Sequence, residues 1–590
     1  MPRRRLKRLT DRFEQIPKPQ PAEAMRRALR SGYGAKDFRA DVLAGVVVGI
    51  VALPLSMALA IAVSARPETG LYTAIVGGAI VAMLGGSRFQ VTGPTAAFIV
   101  ILSPIVAQYG IRGLLLAGML AGLMLIGMGL FKLGRLITFI PHPVTTGFTS
   151  GIGVVIATLQ IKDVLGLKIA VQPDGYLDKL HALWGARSTF DWHELAVAAT
   201  TLALLLVIPK LQKKIPAPLL AIGFVTIATA IVSRFVPAFH VRTIPPIPRL
   251  PPHFSLPWGD HPPDLATIRV LIPKAFAIAM LGAIESLLSA VIADGMTGGK
   301  HDPDAELLAL GTGNFIVPFF GGIPATGALA RTATNVRSGA RSPISSVVHS
   351  VFVLLAILIA APALAFVPIA SLAALMMLVA WNMSEVKHFR HILAIAPKSD
   401  VSVLLICFLL TVFVDMVAAV SVGVVLAALL FMRRMAEITQ TRVSTGDELS
   451  LDHPLPAGVV LYEIAGPMFF GAAARAVEAL GEIGAGTRVV ILYLGSVPAI
   501  DATGLVALEA ALERLTSDNR HVIISGPLPQ PQRVFDKANL EADEHVVIAK
   551  TLTEAIAAAE AFLAGHGGVG HEDIAVPSSM RKISARAPAR

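Results

Sequence analysis

Deep in apolar sequence, a glycine and a proline stand together at two places, each followed by small residues. The first is 91–102 (VTGPTAAFIVIL) and the second is 321–343 (GGIPATGALARTATNVRSGARSP). Hydrocarbon offers no partner for the backbone groups that glycine and proline leave open, so such a start weakens a full membrane helix. Two arrangements fit: a pair of kinked full-length spans, or a pair of half-helices that begin inside the bilayer. A half-helix aims free N–H groups and roughly half a positive charge at whatever precedes it. Interrupted segments at corresponding places of two halves point to a transporter's binding site. The pairing of the two starts, with Arg331 after the second, favours half-helices.

The flanking sequence agrees. The chain is 54% hydrophobic and only 15% charged over 590 residues, the balance of a polytopic membrane protein. Its net charge of +10 comes from short basic clusters between apolar runs. That is the positive-inside pattern, not a nucleic-acid surface. The single cysteine, Cys407, excludes an intramolecular disulfide and a cysteine metal cluster. Residues 1–40 open basic without a short apolar core and cleavage site, so they are expected as a cytoplasmic segment rather than a signal peptide.

Apolar runs are expected at 42–65 (with Pro54 inside), 70–84, 114–131, 141–159, 194–208 and 218–236. After a proline-rich loop at 239–269 come 271–292, 306–320, 344–361, 364–381, 402–414 and 416–432. A polar loop is expected at 161–192. With the half-spans the count is about fourteen, as two sets of seven in opposite orientation. The membrane part is then 41–434. Short β-rich runs at 459–464, 488–493, 521–524 and 546–548 alternate with helical spacing at 472–480 and 504–515. They predict a soluble α/β domain over 445–565. The tail 566–590 has the composition of a disordered segment.

Few residues could carry chemistry. Glu285 is an acid in mid-span, where a charge costs on the order of 3 kcal/mol, and such acids are usually functional. Ser289, at i+4, shares its helical face. The pair is expected to hold a proton or a sodium ion, the alternative being a protonated acid bonded to a neighbouring helix. Arg331 offers fixed positive charge to an anion, or else a salt bridge to Glu285. Thr95, Ala96 and Ala97 open the first half-helix and are small enough to let an anion reach backbone N–H groups, or else to let helices pack closely. Arg337 and Arg341 are expected as topology anchors. Asp294, Asp302, Asp304 and Glu306 are expected as a solvated face, His142 as a loop histidine. The string GFTSGIG, 147–153, follows no strand, so it is no dinucleotide loop. In the soluble domain, Asp501 and Thr503 lie between a strand and a helix. They are expected as an N-cap, or as a regulatory phosphorylation or docking point. No nucleophile–base pair or metal cluster argues for an enzyme, and no cofactor is implied.

These strings resemble the SulP/SLC26 anion transporter family over nearly the whole chain. They include ADVLAGVVVGIVALPLSMALAIA, PETGLY, SRFQVTGPTAAF, AIESLLSA, ARTATNVRSGARSP and a DATG turn similar to that of STAS domains. GGSRFQVTGPTAAFIVIL, QIKDVLGL, AMLGAIESLLSAVIADGMTGGKH and VAWNMSE look closest to the DauA (YchM)-type bacterial C4-dicarboxylate transporters. The resemblance implies seven-plus-seven inverted repeats split into core and gate domains, and an elevator-like movement of the core. It also implies a homodimer in the bacterial inner membrane, with the N-terminus and the STAS domain cytoplasmic. By position, Leu55, Leu59, Thr95, Ala96, Ala330 and Arg331 would line the anion site. Glu285 and Ser289 match the pair that holds sodium in relatives with Asp in place of Glu, and the Glu favours protons. The expected function is proton-coupled uptake of C4-dicarboxylates. Alternatives are sulfate or bicarbonate transport coupled to sodium or protons, and a membrane sensor or scaffold that signals through its STAS domain to a partner.

Overall fold

The computed structural model describes residues 21–137, 140–169, 173, 175–212, 216–236, 239–260, 262–438, 440–444, 455–469, 486–540 and 545–565. The expected helix at 472–480, the tail 566–590 and the first 20 residues lie outside them. The chain forms two compact units, divided between Val425 and Leu426.

The first unit is built of helices in apolar sequence. They are α1 (Ala35–Ala62), α2 (Pro67–Leu84), α3 (Ala96–Leu130), α4 (His142–Val164), α5 (Trp192–Leu211), α6 (Ala217–Phe235) and α7 (Leu265–Thr297). After them come α8 (Pro303–Ile316), α9 (Leu329–Arg337), α10 (Ile344–Leu364), α11 (Ile369–Met383), α12 (Lys398–Phe413) and α13 (Met416–Ile438), whose end belongs to the second unit. Two short strands, β1 (Thr92–Gly93) and β2 (Thr326–Gly327), interrupt the series. Among the described residues, ten stretches are long and apolar enough to cross a membrane. α3 breaks at Gly110, where φ is 67° and ψ −176°, and α8, α9 and α12 are too short for that count. Among the described residues these helices, long and short, stand in the expected order on each side of the proline-rich stretch.

The loops are more structured than expected. The polar loop at 161–192 contains the end of α4 and a further helix, Tyr176–Gly185. α7 begins inside the expected 239–269 loop because Asp264 caps it, accepting from Thr267 N at 2.8 Å. The rest of that segment is fastened across the fold. Ile369 N donates to Arg242 O at 2.8 Å, and the Arg242 guanidinium meets Glu194 at 3.2 Å and Asp163 at 3.5 Å.

The helices sort into two packing groups. α1 lies on α10, α3 on α8, and α7 on both α3 and α9. Separately, α4 lies on α11 and α12, and α5 on α6 and α11. α1 touches α6 and α11 across the divide, and the start of α3 touches α4 and α11. Small residues set these approaches, since in a membrane close packing replaces the hydrophobic drive. A Cβ at Gly122 of α3 would stand 2.6 Å from Phe315 N, and one at Gly311 of α8 would stand 2.6 Å from Ile126 N. The GFTSGIG string is the packing face of α4: Gly147 meets Leu404 and Cys407, Gly151 meets Thr411, and Gly153 meets the Ala380 carbonyl. Gly122→Ala is therefore expected to cost about 1–3 kcal/mol by overpacking, seen as a lower melting temperature of the detergent-purified protein. An unchanged melting temperature would mean that α3 and α8 separate at no cost.

The second unit holds a five-stranded sheet in the order β3 (Gln440–Ser444), β4 (Val459–Ala465), β5 (Val489–Ser496), β6 (His521–Ser525), β7 (Val546–Ala549). β3 is antiparallel to β4 and the other pairs are parallel. The sheet thus starts before the expected boundary at 445. Its strands are apolar almost throughout because both faces are covered. Tyr462, Leu492 and Ile524 pack under Leu508 and Leu512 of α14 (Ala502–Ser517) and Phe535 of α15 (Pro529–Ala538). Leu461, Ile491 and Ile523 pack under Ala555 and Ala559 of α16 (Leu552–Gly565).

Candidate functional site

The two interrupted segments meet. β1 and β2 are antiparallel, with Thr92 opposite Gly327 and Gly93 opposite Thr326. Each strand leads within a few residues into a helix, α3 after Thr95 and α9 after Ala328. Neither helix start has a side-chain cap. Their first N–H groups and the partial positive charge of each helix are left for another partner. The second half-helix begins later than expected, at Leu329, and has 9 residues. Asn314 of α8 is the reason: it accepts from Ala325 N at 2.7 Å and donates to Ala325 O at 2.8 Å, holding the chain extended up to β2.

The residues expected at the site lie on the two half-helices and on α1 and α7, which pack against them. Ala96 and Ala97 are buried in the first turn of α3, and Thr95 is half-buried. Leu59 of α1 is buried and Leu55 half-buried, while Ala330 is exposed on the first turn of α9. Arg331 is only 1% exposed. The alternative of a salt bridge to Glu285 is not what forms. The Arg331 guanidinium donates to the Pro94 carbonyl, and Nε and Nη1 have no hydrogen-bond partner. Gly93 provides the room, since a Cβ there would stand 2.6 Å from Nη1.

Glu285 of α7 is half-buried and accepts a hydrogen bond from Thr95 Oγ1 at 2.9 Å. Glu285 and Ser289 are not hydrogen-bonded to each other. Ser289 is fully buried and donates to Thr332 Oγ1 of α9 at 3.0 Å, because α9 packs over that part of α7. Thr332 also accepts from Val91 N at 3.0 Å, which ties the start of β1 to α9.

The acid cluster is a correction to the expected solvated face. Glu306 is 1% exposed and accepts from Gly86 N at 2.9 Å, Ser87 N at 3.0 Å and Gln90 Nε2 at 2.8 Å. Three donors make up for the water that burial removes. Asp304 is buried and accepts from Gly134 N at 3.0 Å, and Asp302 caps α8. Gln90 also donates to Ser286 Oγ at 2.5 Å, and its carbonyl accepts from Ser346 Oγ at 2.7 Å. Gln90 and Thr332 were not among the expected site residues. The signal available for Gln90 was an amide set between apolar residues just before the first break.

His142 begins α4, with Nδ1 3.0 Å from Thr146 Oγ1, and belongs to a helix rather than a loop. Arg337 and Arg341 are exposed. In the second unit Asp501 is the N-cap of α14, accepting from Gly504 N at 2.7 Å, and Thr503 is exposed on its first turn. Gln530 braces the same turn, bonding both Ile500 N and Ile500 O at 2.9 Å.

The chain is similar to known proteins over most of its length. Residues 38–407 match the sulfate permease family and residues 451–555 the STAS domain. The protein YvdB of Bacillus subtilis, provisionally named a sulfate transporter, is 40% identical over 510 residues, which are 86% of this chain and 95% of YvdB. The bicarbonate transporter BicA of Picosynechococcus is 32% identical over 530 residues, 86% of this chain and 91% of BicA. Among solved structures, murine Slc26a9, an anion transporter in the inward-facing state, superimposes with a TM-score of 0.80 at 18% identity over 90% of this chain and 93% of its own. The transmembrane domain of a cyanobacterial BicA does so with 0.57 at 27% identity, over 67% of this chain and 98% of its own.

Proposed function

Because the chain belongs to the sulfate permease family of membrane anion transporters, with a STAS domain after its membrane part, we propose that it is a proton-coupled carrier of a small inorganic oxyanion, sulfate or bicarbonate. The observation that carries this reading is the Thr95–Glu285 hydrogen bond beside two uncapped helix starts. It sets a titratable acid beside the residue that precedes the uncapped start of α3, which supports a coupling role in this reading. The C4-dicarboxylate expectation has less support than the sulfate or bicarbonate alternative, because relatives covering most of the chain are named for those anions.

In this reading Leu55, Leu59, Thr95, Ala96, Ala97 and Ala330 line the anion site and Arg331 supplies fixed charge from behind it. Glu285 takes the proton, with Ser289 positioning α7 through Thr332. The α1/α3/α7–α10 group moves as the core against the other group. The protein works as a homodimer in the bacterial inner membrane, with the STAS domain in the cytoplasm and Thr503 as a regulatory point.

Charge sets the stoichiometry. One net charge moved against the membrane potential costs about 2.3 kcal/mol per 100 mV. A bicarbonate monoanion is balanced by one proton and a sulfate dianion needs two. The test is uptake of labelled sulfate and labelled bicarbonate into proteoliposomes under an imposed pH gradient, with sodium varied at fixed pH. An acid exterior should raise uptake of one of the two, and sodium should not matter. Uptake that follows sodium and ignores pH would sink proton coupling. No flux of either anion, with partner binding by the STAS domain intact, would favour the sensor reading.

A further inference from the structure

Thr95 precedes a helix and is of the type that normally caps one. A threonine there accepts from the N–H of the second or third helical residue. Here the backbone has the extended conformation of a cap, with φ −125° and ψ 156°, but the side chain makes no cap bond. The hydroxyl is turned across to α7 and donates to Glu285 Oε2 at 2.9 Å. Thr95 is the only hydrogen-bond partner of Glu285 among the described residues.

Of the charged groups on the helices packed against α7, Arg112 of α3 and Arg337 of α9 are exposed, and the following are engaged elsewhere. Arg331 of α9 bonds the Pro94 carbonyl. Glu306 of α8 holds Gly86, Ser87 and Gln90. Asp304 of α8 holds Gly134 and lies 3.9 Å from Arg135. On α7 itself, Asp294 meets His301 at 2.7 Å. Thr95 therefore stands alone between Glu285 and the uncapped first turn of α3.

We propose that the Thr95 hydroxyl is the switch that couples the proton on Glu285 to the anion at the start of α3. The proposal rests on the reading of Glu285 and the half-helix starts given above and adds the device that joins them. With Glu285 ionised, its carboxylate holds the one Thr95 O–H and adds negative charge beside the anion site. When Glu285 takes a proton, the new carboxyl O–H donates to Thr95 Oγ1. The Thr95 O–H then rotates and donates to an oxygen of the anion, beside the free N–H groups of α3. No covalent bond changes except the one to the proton, and release runs in reverse. Proton and anion favour the same orientation of one hydroxyl, so each raises the affinity of the protein for the other. A hydrogen bond to a charged partner gives the hydroxyl a share of about tenfold in that linkage. The charge of Glu285 supplies the rest.

The test uses full-length protein in proteoliposomes and sulfate as the probe, which remains a dianion at both pH values. The apparent KM is measured at about pH 6 and about pH 8, on either side of neutrality, for wild type, Thr95→Val, Thr95→Ser and Glu285→Gln. Wild type should bind more tightly at the acid pH, and Glu285→Gln should show no pH dependence. Thr95→Val should shrink the wild-type ratio between the two pH values by about tenfold, and Thr95→Ser, which keeps the hydroxyl, should restore it. Sulfate-induced shifts of the melting temperature at both pH values give the same comparison without transport, in case a variant inserts poorly. A Thr95→Val protein that keeps the full wild-type ratio, with KM raised equally at both pH values, overturns the switch and leaves Glu285 as the coupling acid. A wild-type ratio of one, or a ratio that survives Glu285→Gln, removes Glu285 and the switch together.

Discussion

Glu285→Gln is expected to abolish proton-driven accumulation of the anion while exchange of anion across the membrane continues. Glutamine has the volume of glutamate, and its amide N–H can donate to Thr95 Oγ1, which stands 2.9 Å from Glu285 Oε2, as the protonated carboxyl does. What it lacks is a proton to gain or lose. The variant is held in the neutral form, the form proposed to bind anion, so binding and exchange have what they need. Net uptake against a gradient does not. Each unit of pH difference supplies about 1.4 kcal/mol per proton carried, so a gradient of about two units supports about 100-fold accumulation for one proton and one monoanion. In the variant the ratio should fall to that set by the membrane potential alone. The measurement is labelled-anion accumulation in proteoliposomes, with counterflow in the same vesicles. Accumulation at the wild-type level would make Glu285 a structural acid. Loss of both accumulation and counterflow, in protein that melts as wild type does, would place Glu285 in anion binding rather than coupling.

The fold was legible where its signals are local. An apolar run of membrane length, or a glycine and a proline inside hydrocarbon, declares itself without knowledge of its neighbours. Strands β4 to β7 of the second unit were legible for the same reason, though β3 was not, and so was the Asp501 cap, which lies one residue before its helix. The site was legible only in outline. β1 and β2 are 2 residues each and separated by more than 200 positions, and no pattern in either strand specifies the other. Spacing put Ser289 on the face of Glu285, but Thr332 of α9 takes its hydroxyl. Four acids at a membrane boundary have the composition of a solvated face, and only the fold shows that backbone N–H groups of the Gly86–Ser87 turn surround Glu306. In each case the deciding partner is remote in sequence, and the partner, not the residue type, sets the role.

Arg331→Met is expected to separate stability from anion affinity. A guanidinium that is 1% exposed, with two of its nitrogens unpartnered, is an expensive group to bury. Replacing a buried charge by an apolar side chain of similar volume is often neutral or stabilising. Against this stands the bond to the Pro94 carbonyl, which leaves an acceptor bare when lost, at a cost of about 1–3 kcal/mol. The two effects are of similar size, so the melting temperature should change little. Anion binding has no such compensation. At about 6 Å and an effective dielectric of about 20, one unit charge attracts a monoanion by about 3 kcal/mol, and its loss should raise KM about 100-fold. Arg331→Lys keeps the charge but not the planar fork that fits beside Gly93, so it should recover part of the affinity and lose stability. Melting temperature and sulfate or bicarbonate KM, measured on the same preparations, decide the matter. If Arg331 only braces Pro94, the order reverses: Arg331→Met melts several degrees lower and its KM stays at the wild-type value.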